Sequence, residues 1–397
     1  MNIVNRAVNT ALYRVFLYLP DPVLYFFISL AAFLRSLFRI VVHFNMTVDR
    51  YEGLRNGHPV TLLWIGTDEM KKYILEKLYD SEYRFTHVTR TNVFMLKNTL
   101  RDLSPHVDLM YVEMNSLLPG LQDFMRIKPY VLSSMRVEEY KKKKYNEARK
   151  LLERNGVELK EFSIRTHLDR FRLFYEQLYV PHISSKWGKQ SVESFDMLKI
   201  FYAKGVLQTA YHGDEAIAAN VWLFQGDTLV KCKYGVRNAK DKLHRAAASY
   251  YTSLDYAKKH GFVYFNGFHV RSFMNDGLFR YKREWGLSVS VEERNYYFDK
   301  DLYLNVVNYC PGVIDFLREE PFLAVRDHGL RAQLLCSCRD SGLVEEIMTH
   351  YHRYKTGGVA LYEFHVARDV TDQEKDEIYR RHEVSEATNL FRFITYR

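Results

Sequence analysis

From Pro59 onward, short apolar runs alternate with stretches of helical period, and this alternation constrains the fold more than any other feature of the chain. Val60–Ile65, Phe85–Thr89, Val107–Met114 and Lys128–Ser133 read as strands, with helices over Asp68–Leu78 and around Leu117–Met125. Such a pattern predicts an α/β unit with a mostly parallel sheet. Its first strand-to-helix turn, Ile65-Gly66-Thr67-Asp68, holds one glycine, too few for a phosphate-cradling loop. Further on, Glu138–Asn155 reads as a helix closed by Gly156. Val157–Ile164 is a strand, Leu168–Leu178 a helix, Pro181–Lys189 a polar loop and Ser194–Ala203 a helix. Three strands follow, Val206–His212, Glu215–Phe224 and Thr228–Val236, joined at Gly213-Asp214 and Gly226-Asp227. The tail from Asp299 carries another strand–helix–strand pattern over Ala332–Cys336, Leu343–Tyr351 and Val359–Val366.

The N-terminus poses a membrane question. Val4, Val8, Leu12, Val15, Phe16 and Leu19 share one helix face until Pro20-Asp21-Pro22, where Asp21 suits an N-cap and Pro22 a first helical position. Val23–Leu34 is almost wholly apolar, yet its helical length of about 18 Å falls short of the roughly 30 Å hydrocarbon core. Extending it to Phe44 brings in Arg35 and Arg39, each costing about 2.5–3.5 kcal/mol near the bilayer centre. Ser29, Ala32, Ser36, Arg39 and His43 fall on one stripe, with Phe27, Leu34, Phe38 and Val41 opposite. The pattern predicts a monotopic or re-entrant anchor with its arginines at the headgroup level. A single tilted span and a hairpin buried against the body are the alternatives. No small-residue cleavage site follows, so the segment is expected to stay on the protein. Residues 1–45 are thus expected to hold the chain on the cytosolic face of a membrane.

The formal net charge of +9 favours anionic partners: phosphate groups, acidic lipids or nucleic acid. The Lys141–Lys144 run lies beside Glu138, Glu139 and Glu147, which marks a solvated helix face, and no zinc-finger spacing or long basic arm is present. Cys232, Cys310, Cys336 and Cys338 make no disulfide framework in a chain this long and read as reduced thiols. No metal is expected. The 30 tyrosines and 26 phenylalanines fit both a thick core and a lined groove.

The segment Ser253–Gly286 draws the functional reading. It runs from a helix spanning about Arg245 to His260, stopped by Gly261, through a strand at Phe262–Phe265 and a polar loop. Gly277-Leu278-Phe279-Arg280-Tyr281-Lys282-Arg283-Glu284-Trp285-Gly286 then sets a lysine among aromatics. The order over residues 138–290, with Arg149–Gly156, Ala216–Asn220, Ala257 with Gly261, Phe265-Asn266-Gly267 and Gly277–Lys282 with Trp285-Gly286, resembles the GNAT acyltransferase fold. More narrowly, it is similar to the FemAB-like branch, with its BioF-type acetyltransferase-like domains. The expected architecture is α/β (α+β): a GNAT-like mixed sheet with flanking helices at 138–298, an N-terminal α/β subdomain at 57–134, membrane-associating helices at 1–45 and a C-terminal α/β extension at 299–397.

The resemblance implies transfer of an acyl or aminoacyl group from an activated donor to an amine of a cell-envelope, lipid-linked or sugar acceptor. The donor would be an acyl-CoA such as acetyl-CoA, or an aminoacyl-tRNA; nucleic acid is a partner only in the second case. It would lie at the loop after Thr228–Val236, where Arg237, Lys240, Lys242 and Arg245 supply charge and a helix start offers N–H groups to a phosphate. That loop has no glycine, where coenzyme A enzymes of this fold place a glycine-rich turn. A non-catalytic GNAT-like module binding a protein or an anionic ligand is therefore the alternative. By resemblance, Lys282 matches the lysine kept near the reacting carbonyl or donor phosphate, a cation aimed at developing negative charge. Asp276 and His269 flank the same loop as candidate proton acceptors. Asn266 and Arg271 are candidates for orienting substrate, and Tyr234 for donating a proton to the leaving group.

Overall fold

The computed structural model describes residues 21–292, 299–338, 340, 342–381 and 390–396. The helix face expected over residues 4–19 lies outside them. Contacts divide the chain into two compact units. One gathers Ser133–Phe268 and Lys282–Leu287, with the described residues up to Ile28; the other gathers Ser29–Leu132, His269–Tyr281 and the described residues of Ser288–Arg397. In chain order the strands are β1 Met46–Arg55, β2 His58–Gly66, β3 Arg84–Thr91, β4 Leu109–Asn115, β5 Met125–Ile127, β6 Tyr130–Arg136, β7 Glu158–Ser163, β8 Val206–His212 and β9 Glu215–Gln225. They continue with β10 Thr228–Val236, β11 Tyr264–Arg271, β12 Ser288–Ser290, β13 Lys300–Val306, β14 Phe322–Arg326, β15 Gly329–Cys336, β16 Val359–Val366 and β17 Phe391–Thr395.

The second unit holds a six-stranded sheet in the order β3-β1-β2-β4-β13-β5 and a four-stranded sheet in the order β14-β15-β16-β17. The first of these is mixed rather than mostly parallel. β2 and β4 are parallel, but β1 pairs antiparallel with β2 and β3, and β13 with β4 and β5. Two things hid this from the sequence. β1 precedes the alternating pattern and turns into β2 at Asn56-Gly57, both at positive φ (48° and 79°), as a tight hairpin needs. β13 comes from far downstream. The helix expected around Leu117–Met125 is a turn segment instead, broken by Pro119-Gly120. At the β2-to-helix turn the N–H groups of Glu69 and Met70 donate to the buried Glu113 carboxylate (3.1 and 3.0 Å), and Thr67 donates its hydroxyl to it. A carboxylate of the chain itself occupies that turn, where a nucleotide phosphate would otherwise be sought.

The helix Asp21–Ile40 and the short 3-10 turn Val41–Phe44 come before β1. Among the described residues no helix is long and apolar enough to cross a membrane. From Ser36 on, the polar stripe seen in the sequence faces protein. Asn115 Nδ2 donates to the Ser36 carbonyl (2.9 Å), Arg39 pairs with buried Asp299 (3.0 Å), and the Asn115 backbone N–H donates to His43 Nε2 (2.9 Å).

In the first unit, six strands of the third sheet lie side by side in the order β6-β11-β10-β9-β8-β7. β7 through β10 form antiparallel pairs, with the meander turned at Gly213 and Gly226, both at φ 59°. β10 and β11 are parallel. One face is covered by Leu168–Leu173, a π-helical turn over Phe174–Tyr179, and Val180–Trp187; Phe171, Phe174 and Leu178 pack with Leu207, Ala219 and Val221. The stretch Pro181–Lys189, expected as a polar loop, is therefore mostly helix. Pro181 sits in its first turn, where a missing N–H costs nothing, and Gly188 at φ 86° ends it.

The π turn presses directly on β10. A Cβ on Gly235 would sit 2.6 Å from the Leu178 carbonyl carbon and 2.7 Å from the Tyr179 nitrogen. Both are backbone atoms that cannot rotate away. Gly235→Ala is expected to destabilise the protein by about 2–3 kcal/mol, read as a lowered urea midpoint at unchanged slope.

Candidate functional site

β10 carries a bulge that sets the chemistry of the first unit. Lys231 pairs across to Trp222 and Lys233 to Val221, leaving Cys232 as the extra residue. Strict alternation would put Lys231 and Lys233 on one face. The bulge instead puts Lys231 on the same face as Tyr234, while Lys233 turns outward to pair with Glu193. β10 and β11 then part. Their parallel ladder runs only from Thr228/Tyr264 to Val230/Asn266, although both strands continue. Past Val230 and Asn266 no ladder joins the two strands, which leaves a gap in the hydrogen bonding of the sheet between Lys231–Val236 and the end of β11.

Lys231 lies just past the last ladder pair, 7% exposed. Its ammonium group donates to the carbonyls of Ala248 (2.6 Å) and Ser249 (3.4 Å) and sits 5.4 and 5.1 Å from the Tyr234 and Tyr250 rings. Both carbonyls lie at a break, because the expected helix from Arg245 to His260 is two helices, Lys242–Ala247 and Tyr250–Lys259; the Ser249 carbonyl also accepts the Thr252 hydroxyl (3.0 Å). Ser249 starts the second by accepting the Tyr251 N–H on its hydroxyl. Burial without an offsetting charge lowers the Lys231 pKa to about 7. Tyr234 also meets the His182 ring at 5.1 Å; burial, with Lys186 nearby, depresses the His182 pKa, and neither of its ring nitrogens has a hydrogen-bond partner. The buried Oε1 of Gln208 and Oδ1 of Asn220, paired residues on β8 and β9, are likewise unpartnered acceptors.

On the β11 side, Asn266-Gly267-Phe268 is held in an unusual turn. Asn266 Oδ1 accepts the Phe268 N–H (2.7 Å), and Phe268 takes φ 67°, a left-handed conformation costly for a non-glycine residue. A Cβ on Gly267 would meet the end of the Leu287 side chain at 2.5 Å and the Tyr250 hydroxyl at 3.1 Å, both of which would have to shift. Lys282 holds this turn from below. Its ammonium group donates to the carbonyls of Gly267 and Phe268 and to Ser133 Oγ, each at 2.8 Å, and Ser133 in turn donates to Phe268 O. Tyr250 donates its hydroxyl to the same Gly267 carbonyl (3.4 Å). Tyr250 thus links the two buried lysines: its ring lies 5.1 Å from the Lys231 ammonium group and its hydroxyl shares the Gly267 carbonyl with Lys282.

The other residues singled out from the sequence divide. Asn266 and Tyr234 border the gap. Arg237 pairs with Glu215 (3.1 Å) and, with Arg170, Gln177 and Thr209, lines a separate cavity of about 340 Å³. Lys240, Lys242 and Arg245 are exposed. The helix start beside them does not offer free N–H groups to a phosphate: Asp241 caps it, accepting from Leu243 and His244 (2.7 and 3.2 Å), and the helix is six residues long. His269, Arg271 and Asp276 belong to the second unit. There His269 contacts Glu292 (2.8 Å), and Asp276 pairs with Arg271 (3.2 Å) while capping the Gly277–Trp285 helix through Leu278 and Phe279. Both carboxylate oxygens of Asp276 are thereby engaged, one by Arg271 and one by the helix start. Sequence reasoning missed Lys231 and His182. The available signal was a pair of lysines, Lys231 and Lys233, inside the otherwise apolar run Leu229–Val236.

No family model matches the chain, and no curated protein matches it. Solved structures do. The C-terminal domain of a proposed lysylphosphatidylglycerol synthetase from Agrobacterium fabrum is 9% identical, with 71% of this chain and 89% of that chain covered and a TM-score of 0.33. FemX is 10% identical, with 64% and 84% covered and a TM-score of 0.34. A GCN5-related N-acetyltransferase from Sphaerobacter thermophilus is 10% identical, with 62% and 73% covered and a TM-score of 0.30. These neighbours include the kinds of protein that the sequence resembles. At such scores they carry nothing about chemistry, which rests on the residues of the gap.

Proposed function

We propose that the protein is an N-acyltransferase that moves an acyl or aminoacyl group from an activated ester or thioester to an amine on an acceptor presented at a membrane surface. The observation that carries this reading is the parting of β10 and β11 with Lys231 buried just past the last ladder pair. Attack by an amine on an acyl carbonyl needs somewhere for the amine's proton to go and donors for the oxygen that becomes negative. A lysine with a pKa near 7 is partly neutral at physiological pH and can take that proton. Backbone groups along the parted strands, fixed on one side by Lys282, are suited to hold the carbonyl. Tyr234, beside the same gap, is the proposed proton donor to the leaving group. The docked N-terminal helix supports action at a membrane surface.

Asp241 favours one other reading, a module that binds without transferring, because its carboxylate stands where a donor phosphate would seat. Thermal-shift screening of the full chain against acetyl-CoA, longer acyl-CoAs and aminoacyl-tRNA separates the two. The transferase reading expects one donor to raise the Tm by mass action and an added amine to release free coenzyme A or deacylated tRNA. Stabilisation without release would favour the binding module, and neither effect with any donor would remove the assignment.

A further inference from the structure

The segment Ser29–Phe44 packs inside out for a helix on a water-soluble body. A surface helix ordinarily turns its apolar face to the core and its polar face to water. Here Ser36, Arg39 and His43 face Asn115 and Asp299, while Leu34, Leu37, Phe38, Val41, Val42 and Phe44 are exposed, Phe38 to 77%. A second element of the same unit joins this apolar surface. The turn Asn92–Met95 is tied to it by a hydrogen bond from the Val93 N–H to the His43 carbonyl (3.0 Å) and by the Phe44 and Phe94 rings at 5.9 Å. Phe94 is 79% exposed and Met95 53%. Neither dangles, because Asn92 Oδ1 accepts the backbone N–H of both (3.0 Å each) and fixes the turn with the two side chains outward.

We infer that Asn92–Met95 is a membrane-inserting turn that enters the headgroup–acyl boundary of an anionic bilayer together with the outer face of Leu34–Phe44. This rests on the reading of the protein as one that works at a membrane surface, and it adds a point of contact outside residues 1–45. Charge decides between a bilayer and a second copy of the chain. Arg35, Arg90 and Lys97 are exposed beside these apolar residues, in a chain of net charge +9. A symmetric dimer would set each patch against its own copy and bring those cations together, whereas acidic headgroups neutralise them.

The test is flotation of the full chain with vesicles of phosphatidylcholine alone or with a third phosphatidylglycerol. Binding to the anionic vesicles is expected to fall at least tenfold in the double variant Phe94→Asp, Met95→Asp, with its circular dichroism and Tm unchanged because both side chains are exposed. Phe94→Trp, in vesicles with brominated acyl chains, is expected to show quenching beyond that of the wild-type tryptophans. Equal flotation of wild type and double variant, with no added quenching in Phe94→Trp, overturns the insertion of this turn while leaving a membrane-bound helix standing. Absence of wild-type binding to either vesicle overturns the membrane reading itself. Equal binding to neutral and anionic vesicles overturns the anionic preference, and loss of a dimer in sedimentation without loss of flotation assigns the patch to a second copy.

Discussion

Lys282→Ala is expected to lower both the stability of the protein and its transfer rate. The lysine is 3% exposed and its ammonium group supplies three hydrogen bonds, to Gly267 O, Phe268 O and Ser133 Oγ. Truncation removes all three, leaving Gly267 O only its Tyr250 bond and Phe268 O only its Ser133 bond, at about 1–3 kcal/mol for each buried group left short of a partner. A total loss of roughly 3–5 kcal/mol follows from three hydrogen bonds made by a charged donor. The rate effect is separate. The left-handed Phe268 turn is held by these bonds, and a misplaced wall of the gap should cost about a hundredfold in turnover. Urea unfolding measures the first effect, and kcat per folded molecule with a donor identified by thermal shift measures the second. Unchanged turnover in a destabilised variant would reduce Lys282 to a structural role. Asp276→Asn is expected to leave turnover per folded molecule intact, since its carboxylate is already committed to Arg271 and a helix cap.

Lys231 is expected to make stability depend on pH. Its folded pKa of about 7 lies below the unfolded lysine value of roughly 10.4. Between those two values the unfolded chain holds a proton that the folded chain lacks, so stability rises with pH across that window and is flat outside it. The full span is on the order of 4 kcal/mol, of which about 2–3 kcal/mol falls between pH 6 and pH 9. Lys231→Met should remove this rise and be more stable than wild type at pH 6, because a buried ammonium group without a counter-charge disappears. Paired urea titrations of wild type and variant at the two pH values isolate the lysine from every other titrating group. Wild-type transfer should rise through pH 7 as the amine deprotonates, and the methionine variant should transfer slowly at all pH values. A parallel pH profile for the two proteins would show that Lys231 stays charged, or neutral, throughout.

The parts of this fold that local rules govern were readable in the chain. The meander β8–β9–β10 was marked by Gly213 and Gly226, each at the positive φ its turn demands, and the helices closed by Gly156 and Gly261 ended where expected. Interruptions of periodicity were not readable. Lys231 and Lys233 stand two apart in an apolar strand, and alternation reads them as one solvent-facing pair. Only the extra residue at Cys232 separates them, and nothing in the sequence marks a bulge. Ala246-Ala247-Ala248 has the propensity to continue a helix, so the break that turns the Ala248 and Ser249 carbonyls toward Lys231 went unseen, although Ser249 was a fair N-cap signal. Charge misled in the other direction. Lys240, Lys242 and Arg245 looked like a phosphate site, but Asp241 among them already caps the helix start.

The position of β13 has a consequence for how the chain is made. In the six-stranded sheet it lies between β4 and β5, two strands that leave the ribosome close together and long before it. Until β13 arrives, the nascent chain carries β4 with one edge open and β5 with no neighbour, and such edges invite pairing with other chains. Long-range closure of this kind slows folding. Synthesis should therefore pass through a stage in which the N-terminal half waits, incomplete and dependent on chaperones, for a single strand that is translated only after the whole of the first unit.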